Sequence, residues 1–350
     1  MLSLTELKKL LTEAQTPLIN QEKVYFVYSG ETNKNVELIG DMNCWLSGYD
    51  KLYELSNSGI YYIEKILPLN SRIEYKFIVN NNYELDKKNP KTILTELGEN
   101  SVLEMPEYPA HPEFKTNLNF KLSIEKDFEI NSKYLNYKKK IKLLLPYNFD
   151  ANEKYFLVIF NNGNNYYKYG LIKNIFDYIT NKQLVKPFVI ALIYSSNEEK
   201  NFEYNFNLNY SKFILEELLS LLNIEVKIIE SEKGIILGGN YLGALEALFS
   251  ATKSEKKINK LILQSLTTEY NNNNIYSISS IDEFSNLDIY LCWGNFEKYI
   301  NNQNLISLNE KFIEFLETNK IKYYKMRYNQ GHNWIMWAGD LLNAFIYHLE

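Results

Sequence analysis

The residues best placed to do chemistry lie on a glycine-rich turn. Ile235-Ile236-Leu237 is an apolar run of strand type, and Gly238-Gly239-Asn240-Tyr241-Leu242-Gly243-Ala244-Leu245 follows it. A strand, a tight turn and a helix in that order are the setting of a nucleophile elbow. In that device a strained turn lifts a serine above the sheet, and the following backbone N–H steadies an oxyanion. Here the turn holds no Ser, Cys or Thr. Setting Gly239 and Gly243 on the two glycines of GxSxG puts Tyr241 at the nucleophile's place. Shifting by one residue puts Asn240 there and loses the last glycine. Phenolic oxygens do form covalent intermediates in some enzymes. A phenol reaches farther from its Cα than a serine hydroxyl, however, and a bulky residue on such a turn is strained. The plainer role for Tyr241 is to plug a pocket or to stack on a ligand.

The elements around the turn form two halves with different patterning. Residues 22–86 read as all-β: Val24, Phe26 and Tyr28 alternate with Tyr25 and Val27, on a strand too apolar to have one clean wet face. Val36 to Ile39, Ile60 to Leu67 and Arg72 to Val79 follow, separated by turn chemistry such as Asn57-Ser58-Gly59. Short strands at this spacing predict a small β-sandwich. Residues 91–118 lose both periodicities and carry Pro106, Pro109 and Pro112, as a linker does. From about residue 140, apolar strand runs (141–145, 156–160, 188–193, 235–237, 261–263, 289–292) alternate with helix-like stretches near 169–180, 211–222, 242–252, 303–318 and 334–349. That alternation predicts a mainly parallel sheet covered on both faces. Active sites in such sheets lie at the carboxyl ends of the strands.

Composition narrows the function classes. The 350 residues are 45% hydrophobic and 23% charged, which excludes disorder and a disulfide-stapled miniprotein. A net charge of −5 offers no basic footprint for nucleic acid. Cys44 and Cys292 form no CxxC pair, and the three histidines, His111, His332 and His348, lie far apart, so no metal site and no cofactor are expected. Gly238, Gly239 and Gly243 also lack the order of a dinucleotide fingerprint. The 45 Asn read as polar loop filler in a chain also rich in Lys, Ile and Tyr. Leu4, Leu7, Leu11 and Ala14 share one helical face, while Glu6, Lys8 and Lys9 interrupt any signal-peptide core. No apolar run reaches membrane-span length. A soluble cytoplasmic protein is expected, with no nucleic-acid or membrane partner and an oligomeric state that the sequence leaves open.

Taken together, the motifs of the second half resemble the enterochelin esterase family of α/β-hydrolases. The turn is similar to that family's GGSSxGGLxAL. Lys200-Asn201-Phe202-Glu203-Tyr204 resembles its RxxEY, with Lys for Arg. Phe213 to Leu218 resembles FxxxEL, Gln264-Ser265 the strand end after the elbow helix, and Gly331-His332-Asn333-Trp334 with Trp337 the GGHDWxxW that carries the catalytic histidine. The resemblance implies His332 at the general-base position and Glu297, after Trp293-Gly294-Asn295-Phe296, as the acid that orients it. It implies oxyanion donors at Leu242 and Gly163, where Asn162-Gly163 stands for the family's Asp-Gly. Lys200, Glu203, Tyr204 and Trp334 become candidate ligand contacts.

The front half resembles an early-set sandwich of the glycogen-binding-module type, close to GDFNxW…YKFxVDGxWxxDPxNP. Gly40-Asp41-Met42-Asn43-Cys44-Trp45, Glu74-Tyr75-Lys76-Phe77 and Asn82 to Asp86 carry that likeness. In glycan-binding members the sugar is held at positions matching Trp45, Lys76, Tyr83 and Asn100.

The expected architecture is thus α/β: an α/β-hydrolase fold preceded by a small all-β immunoglobulin-like sandwich. The segments are an N-terminal helix (1–19), the sandwich (20–105), a linker (106–135) and the hydrolase-like domain (136–350). Three functions stay open. The first is a pseudo-esterase that binds a ligand or partner, because Tyr241 replaces the serine. The second is an active ester hydrolase on a catecholate siderophore or feruloylated polysaccharide, with Ser265 as a substitute nucleophile. The third is a glycan-binding protein acting through the front domain.

Overall fold

The computed structural model describes residues 15–117, 119–229 and 234–350. It divides into two compact units. Of the described residues, the first holds those up to Ala110 together with Gly294–Gln303 and Tyr328–Asn333, and the second holds the others. The N-terminal amphipathic helix falls mostly outside the described residues, and its expected tail is a strand instead.

The first unit is built on two antiparallel sheets. One runs in the order β1 (Leu18–Asn20), β2 (Lys23–Ser29), β5 (Ile60–Ile66), β4 (Tyr53–Glu54). The other runs β3 (Val36–Gly40), β6 (Arg72–Val79), β9 (Gly98–Glu104), β8 (Thr92–Thr95), with β7 (Asn82–Glu84) also on β6. Successive side chains point to opposite faces of a strand. Ile73, Tyr75, Phe77 and Val79 of β6 therefore join Val24 and Phe26 of β2 and Leu38 of β3 in one core. Burying each such side chain stabilises the fold by about 1.5–3 kcal/mol. Strand β2 is apolar on its other face too, where Tyr25 and Val27 pack with Leu55, Ile60 and Tyr62.

The second unit is organised on an eight-stranded sheet: β10 (Ile124–Asn131), β11 (Lys138–Leu145), β13 (Phe188–Ile193), β12 (Phe156–Phe160), β14 (Ile235–Asn240), β15 (Lys260–Gln264), β18 (Asp288–Gly294), β19 (Lys322–Tyr328). A small hairpin, β16 (Glu269–Tyr270) and β17 (Asn273–Asn274), stands apart. Strands β13, β12, β14, β15 and β18 are parallel. Strands β10 and β11 add an antiparallel edge. The central strands are buried along nearly their whole length, as their unbroken apolar runs require. From β12 the chain moves to β13 on one side and then returns to β14 on the other. Such a reversal of strand order is where open α/β sheets place their ligand crevices, at the carboxyl ends of β12 and β14.

One boundary differs from expectation. The stretch 106–135 contains β10 and is not only a linker. Ile124, Lys126, Phe128 and Ile130 alternate there with Glu125, Asp127 and Glu129, which suits an edge strand with one wet face.

Candidate functional site

The glycine-rich turn is a sharp strand-to-helix corner. Strand β14 ends at Asn240, which pairs with Gln264 of β15. Tyr241 then takes φ 49° and ψ −113°, and the helix Leu242–Thr252 begins. Positive φ is disfavoured for any residue with a Cβ, most of all a bulky one. The Tyr241 N–H donates to Gln264 O at 2.9 Å, and its carbonyl accepts from Ala244 and Leu245 at 3.1 Å. Both ends of the corner are therefore pinned. Asn240 lies within the strand and Tyr241 on the turn. Leu242 opens the helix, and N–H groups of a first turn have no intrahelical acceptor.

The loop after β12 is fastened to this corner by side-chain amides. Asn161 Nδ2 donates to Gly243 O at 2.9 Å, and its Oδ1 accepts from Tyr210 Oη at 2.8 Å. Asn162 sits at φ 58° and sends Nδ2 to Asn240 Oδ1 at 3.0 Å. Gly163 starts the short helix Gly163–Lys168 so close to β13 that a Cβ would lie 2.6 Å from Leu192 C.

Behind that loop lies a buried polar cluster. The Asn162 N–H donates to Tyr204 Oη at 2.8 Å, and Tyr204 Oη bonds Ser195 Oγ at 2.9 Å. Glu203 accepts from Ser195 Oγ at 2.7 Å and from Tyr137 Oη at 2.5 Å, and it pairs with Lys139 Nζ at 2.6 Å. Burial and the Glu203 charge push the Tyr204 phenol up, so it stays protonated. Glu203 is 0% exposed, and Tyr204 and Lys139 are nearly as buried. Glu203 and Tyr204, expected as ligand contacts, have their polar atoms engaged in bracing the loop. Lys200 is half-buried in the short helix Asn197–Glu203. Trp334 opens the last helix, Trp334–Leu349, and is largely buried, 5.2 Å from Tyr166 and 4.9 Å from Trp337. Lys139 escaped the sequence reading. Its signal was period-2 alternation, which sets it on the face of Ile141 and Leu143 between exposed Lys138 and Lys140.

Ser265 has φ 49° and is fully buried. Its N–H donates to Cys292 O at 2.7 Å, and its hydroxyl accepts from Trp337 Nε1 at 2.8 Å. The Ser265 hydroxyl, expected as a possible substitute nucleophile, is thus enclosed and engaged by Trp337.

In the first unit, Glu297 and His332 form a pair. His332 Nδ1 donates to Glu297 Oε1 at 2.6 Å, and Glu297 Oε2 accepts from the Gly294 N–H at 2.8 Å. Glu297 is 0% exposed. A carboxylate fixed in this way sets the imidazole ring and its tautomer, and leaves the lone pair on Nε2. The two loops are laced by backbone bonds from Asn295 to Tyr328 (2.7 Å) and from Phe296 to Gln330 (3.2 Å).

The four candidate glycan residues differ in exposure. Trp45 Nε1 donates to Asp41 Oδ1 at 3.1 Å. Asn100 is buried and donates to Glu74 Oε2 at 2.9 Å. Lys76 is half-buried, and Tyr83 is 68% exposed on β7. Among the described residues no group of three or more His, Cys, Asp or Glu could hold a metal ion, and no helix is long and apolar enough to cross a membrane.

Comparison with known proteins adds the following. Residues 132–348 match the family model described as Putative esterase. The uncharacterized protein YjcH of Bacillus subtilis (strain 168) is 23% identical over 217 residues, covering 59% of this chain and 89% of that protein. The enterobactin esterase FES from Shigella flexneri, solved in the presence of enterobactin, superposes with a TM-score of 0.76 at 18% identity, over 95% of this chain and 94% of that one. Ferric enterobactin esterase from Salmonella typhimurium gives 0.76 at 16%, over 93% of each chain. A ferulic acid esterase gives 0.55 at 15%, over 66% of this chain and 98% of its own. The fold is that of an α/β-hydrolase preceded by a small antiparallel β-sandwich.

Proposed function

From the premise that the chain belongs to the Putative esterase family, whose model spans residues 132–348, we propose that it is a hydrolytically impaired member that binds a small-molecule ester. The observation that carries this reading is Tyr241 at φ 49° and ψ −113° on the corner between β14 and its helix. In the family pattern that place belongs to the serine. A phenolic oxygen stands well beyond a serine oxygen, and a misplacement of about 1 Å alone can cost about 100-fold. Without the serine, only residual catalysis from the oxyanion donors and binding remains. The ligand class follows the structural neighbours, which are named an enterobactin esterase and a ferulic acid esterase.

The remaining machinery has defined roles in this reading. The Leu242 and Gly163 N–H groups face an acyl oxygen. His332, held by Glu297, is the proton acceptor of the family's scheme, here with no serine hydroxyl at position 241 to activate. The Lys139–Glu203–Tyr204 cluster keeps the Gly163 loop in shape.

Hydrolysis of p-nitrophenyl butyrate by native protein, Tyr241→Ser, and Tyr241→Ser with His332→Ala tests the reading. Native protein is expected to be silent, and Tyr241→Ser to gain turnover that His332→Ala abolishes. Native turnover that is lost in His332→Ala alone would overturn the reading and favour an active hydrolase. One observation favours that second reading. A buried carboxylate is costly to keep, and Glu297 remains fully buried against His332. Glycan binding through the front domain has less support, since Asn100 and the Trp45 ring nitrogen are engaged internally. Titration with maltooligosaccharides or xylooligosaccharides, read by heat and Trp45 fluorescence, decides it.

A further inference from the structure

Asp41 follows β3 directly and is 2% exposed. Its carboxylate accepts three donors. The Glu74 N–H reaches Oδ2 at 2.9 Å, Trp45 Nε1 reaches Oδ1 at 3.1 Å, and Asn333 Nδ2 reaches Oδ2 at 3.1 Å. The first two donors belong to the sandwich. The third is the residue after His332. The residue before His332 meets the same side chain: a Cβ on Gly331 would lie 2.4 Å from Asp41 Cγ and Oδ1. Both neighbours of the imidazole therefore rest on one carboxylate. All these residues belong to the first unit.

The surroundings hold Asp41 in place. Arg72 and Glu74 are buried beside it and paired at 2.9 Å, and Asn100 donates to the other oxygen of Glu74. Arg72 N–H donates to Asn329 O at 3.2 Å, on the same loop as His332. Cys44 Sγ donates to Phe296 O at 3.3 Å, next to Glu297. The stretch from Asp41 to Trp45 thus bears on the loops of both Glu297 and His332. Burial and the Glu74 charge raise the Asp41 carboxyl to about 7, a cost of placing an acid there that the fold accepts.

We propose that Asp41 is the positioning residue for His332, and that the Asp41–Trp45 motif of the sandwich anchors the histidine loop and does not read sugar. The inference rests on the proposed role of His332 only for its catalytic consequence. Imidazole orientation matters because a general base works only within hydrogen-bond reach of its proton.

The test labels the full chain with 15N-histidine and follows the downfield Nδ1–H resonance produced by the Glu297 bond. Signals are assigned with His111→Gln, His348→Gln and His332→Ala. Asp41→Asn is expected to remove or strongly shift the His332 resonance while the ring 15N signals of His111 and His348 stay unchanged. A merely structural role would lower the melting temperature and leave that resonance in place. A folded Asp41→Asn protein with an unchanged His332 signal overturns the proposal, as does native protein without such a signal. Should Asp41→Asn fail to fold, Asn333→Ala decides by the same reading, because it removes a single bond to Asp41. In Tyr241→Ser protein, Asp41→Asn should lower kcat at least about tenfold with KM little changed. If Tyr241→Ser shows no turnover, the proposed function fails in that respect, and the resonance still decides the role of Asp41.

Discussion

Gly239 and Gly243 meet across the β14 corner so closely that a Cβ on Gly239 would lie 2.5 Å from the carbonyl carbon of Gly243. The obstacle is backbone, which no rotamer change can relieve. A Cβ on Gly243 would meet Asn161 Cβ at 3.3 Å, a contact that small shifts can absorb. The two glycines should therefore respond differently to one methyl group. Gly239→Ala is expected to cost about 1–3 kcal/mol, as overpacking does, and Gly243→Ala clearly less. Urea unfolding of both variants measures the difference, and equal losses would mean that the corner yields more readily than its geometry implies.

The Glu297–His332 pair makes a kinetic prediction. In Tyr241→Ser protein, Glu297→Gln keeps the size of the side chain but offers an amide to the imidazole. With its oxygen taken by the Gly294 N–H, the amide turns its NH2 to Nδ1 and disfavours the tautomer protonated there. kcat should fall by about 10²–10⁴-fold with KM little changed, since the loss falls on the transition state. A change confined to KM would show that Glu297 shapes binding and leaves proton transfer alone.

The corner itself was legible in the sequence because its chemistry is local. Gly239, Tyr241 and Gly243 share one turn, and an apolar run leading into small residues has few other readings. The partners of that corner were harder to read. Glu203 and Tyr204 stood out as a motif, but only burial reveals that they brace the Asn162 loop. Lys139 lies in a run of three lysines, and composition hides which one faces inward. Asp41 looked like part of a sugar-binding pattern. Its bond to Asn333 spans 292 positions in sequence, beyond the reach of any local periodicity. The edge strands β10 and β19 were missed because charged residues on their wet faces mask the alternation.

Lys139 predicts a non-additive stability pattern. Its ammonium is buried against Glu203 at 2.6 Å and Ser195 Oγ at 3.0 Å. Lys139→Met leaves the Glu203 carboxylate buried without its counter-charge, and breaking such a pair costs about 3–5 kcal/mol. Combining it with Glu203→Gln removes both charges. The double variant should be more stable than Lys139→Met alone. A double-mutant cycle in urea reads the coupling directly, and simple additivity would mean that the two groups are solvated more than their burial indicates.

His348 sets an acid limb of stability. It is buried in the last helix, and its Nε2 donates to Leu261 O at 2.9 Å. Its Nδ1 has no hydrogen-bond partner, so a second proton would be buried without an acceptor. Burial accordingly lowers its pKa from 6.5 to about 4. Between these values the unfolded chain binds a proton that the folded chain does not, so stability falls as pH drops through that window. The loss is complete below about 4 and amounts to roughly 3 kcal/mol by linkage. His348→Gln keeps a donor for Leu261 and removes the titration. The free-energy difference between pH 7 and pH 4.5 should therefore shrink in His348→Gln relative to native protein. Denaturant melts at the two pH values measure it, and parallel losses in both proteins would assign the acid limb to other groups.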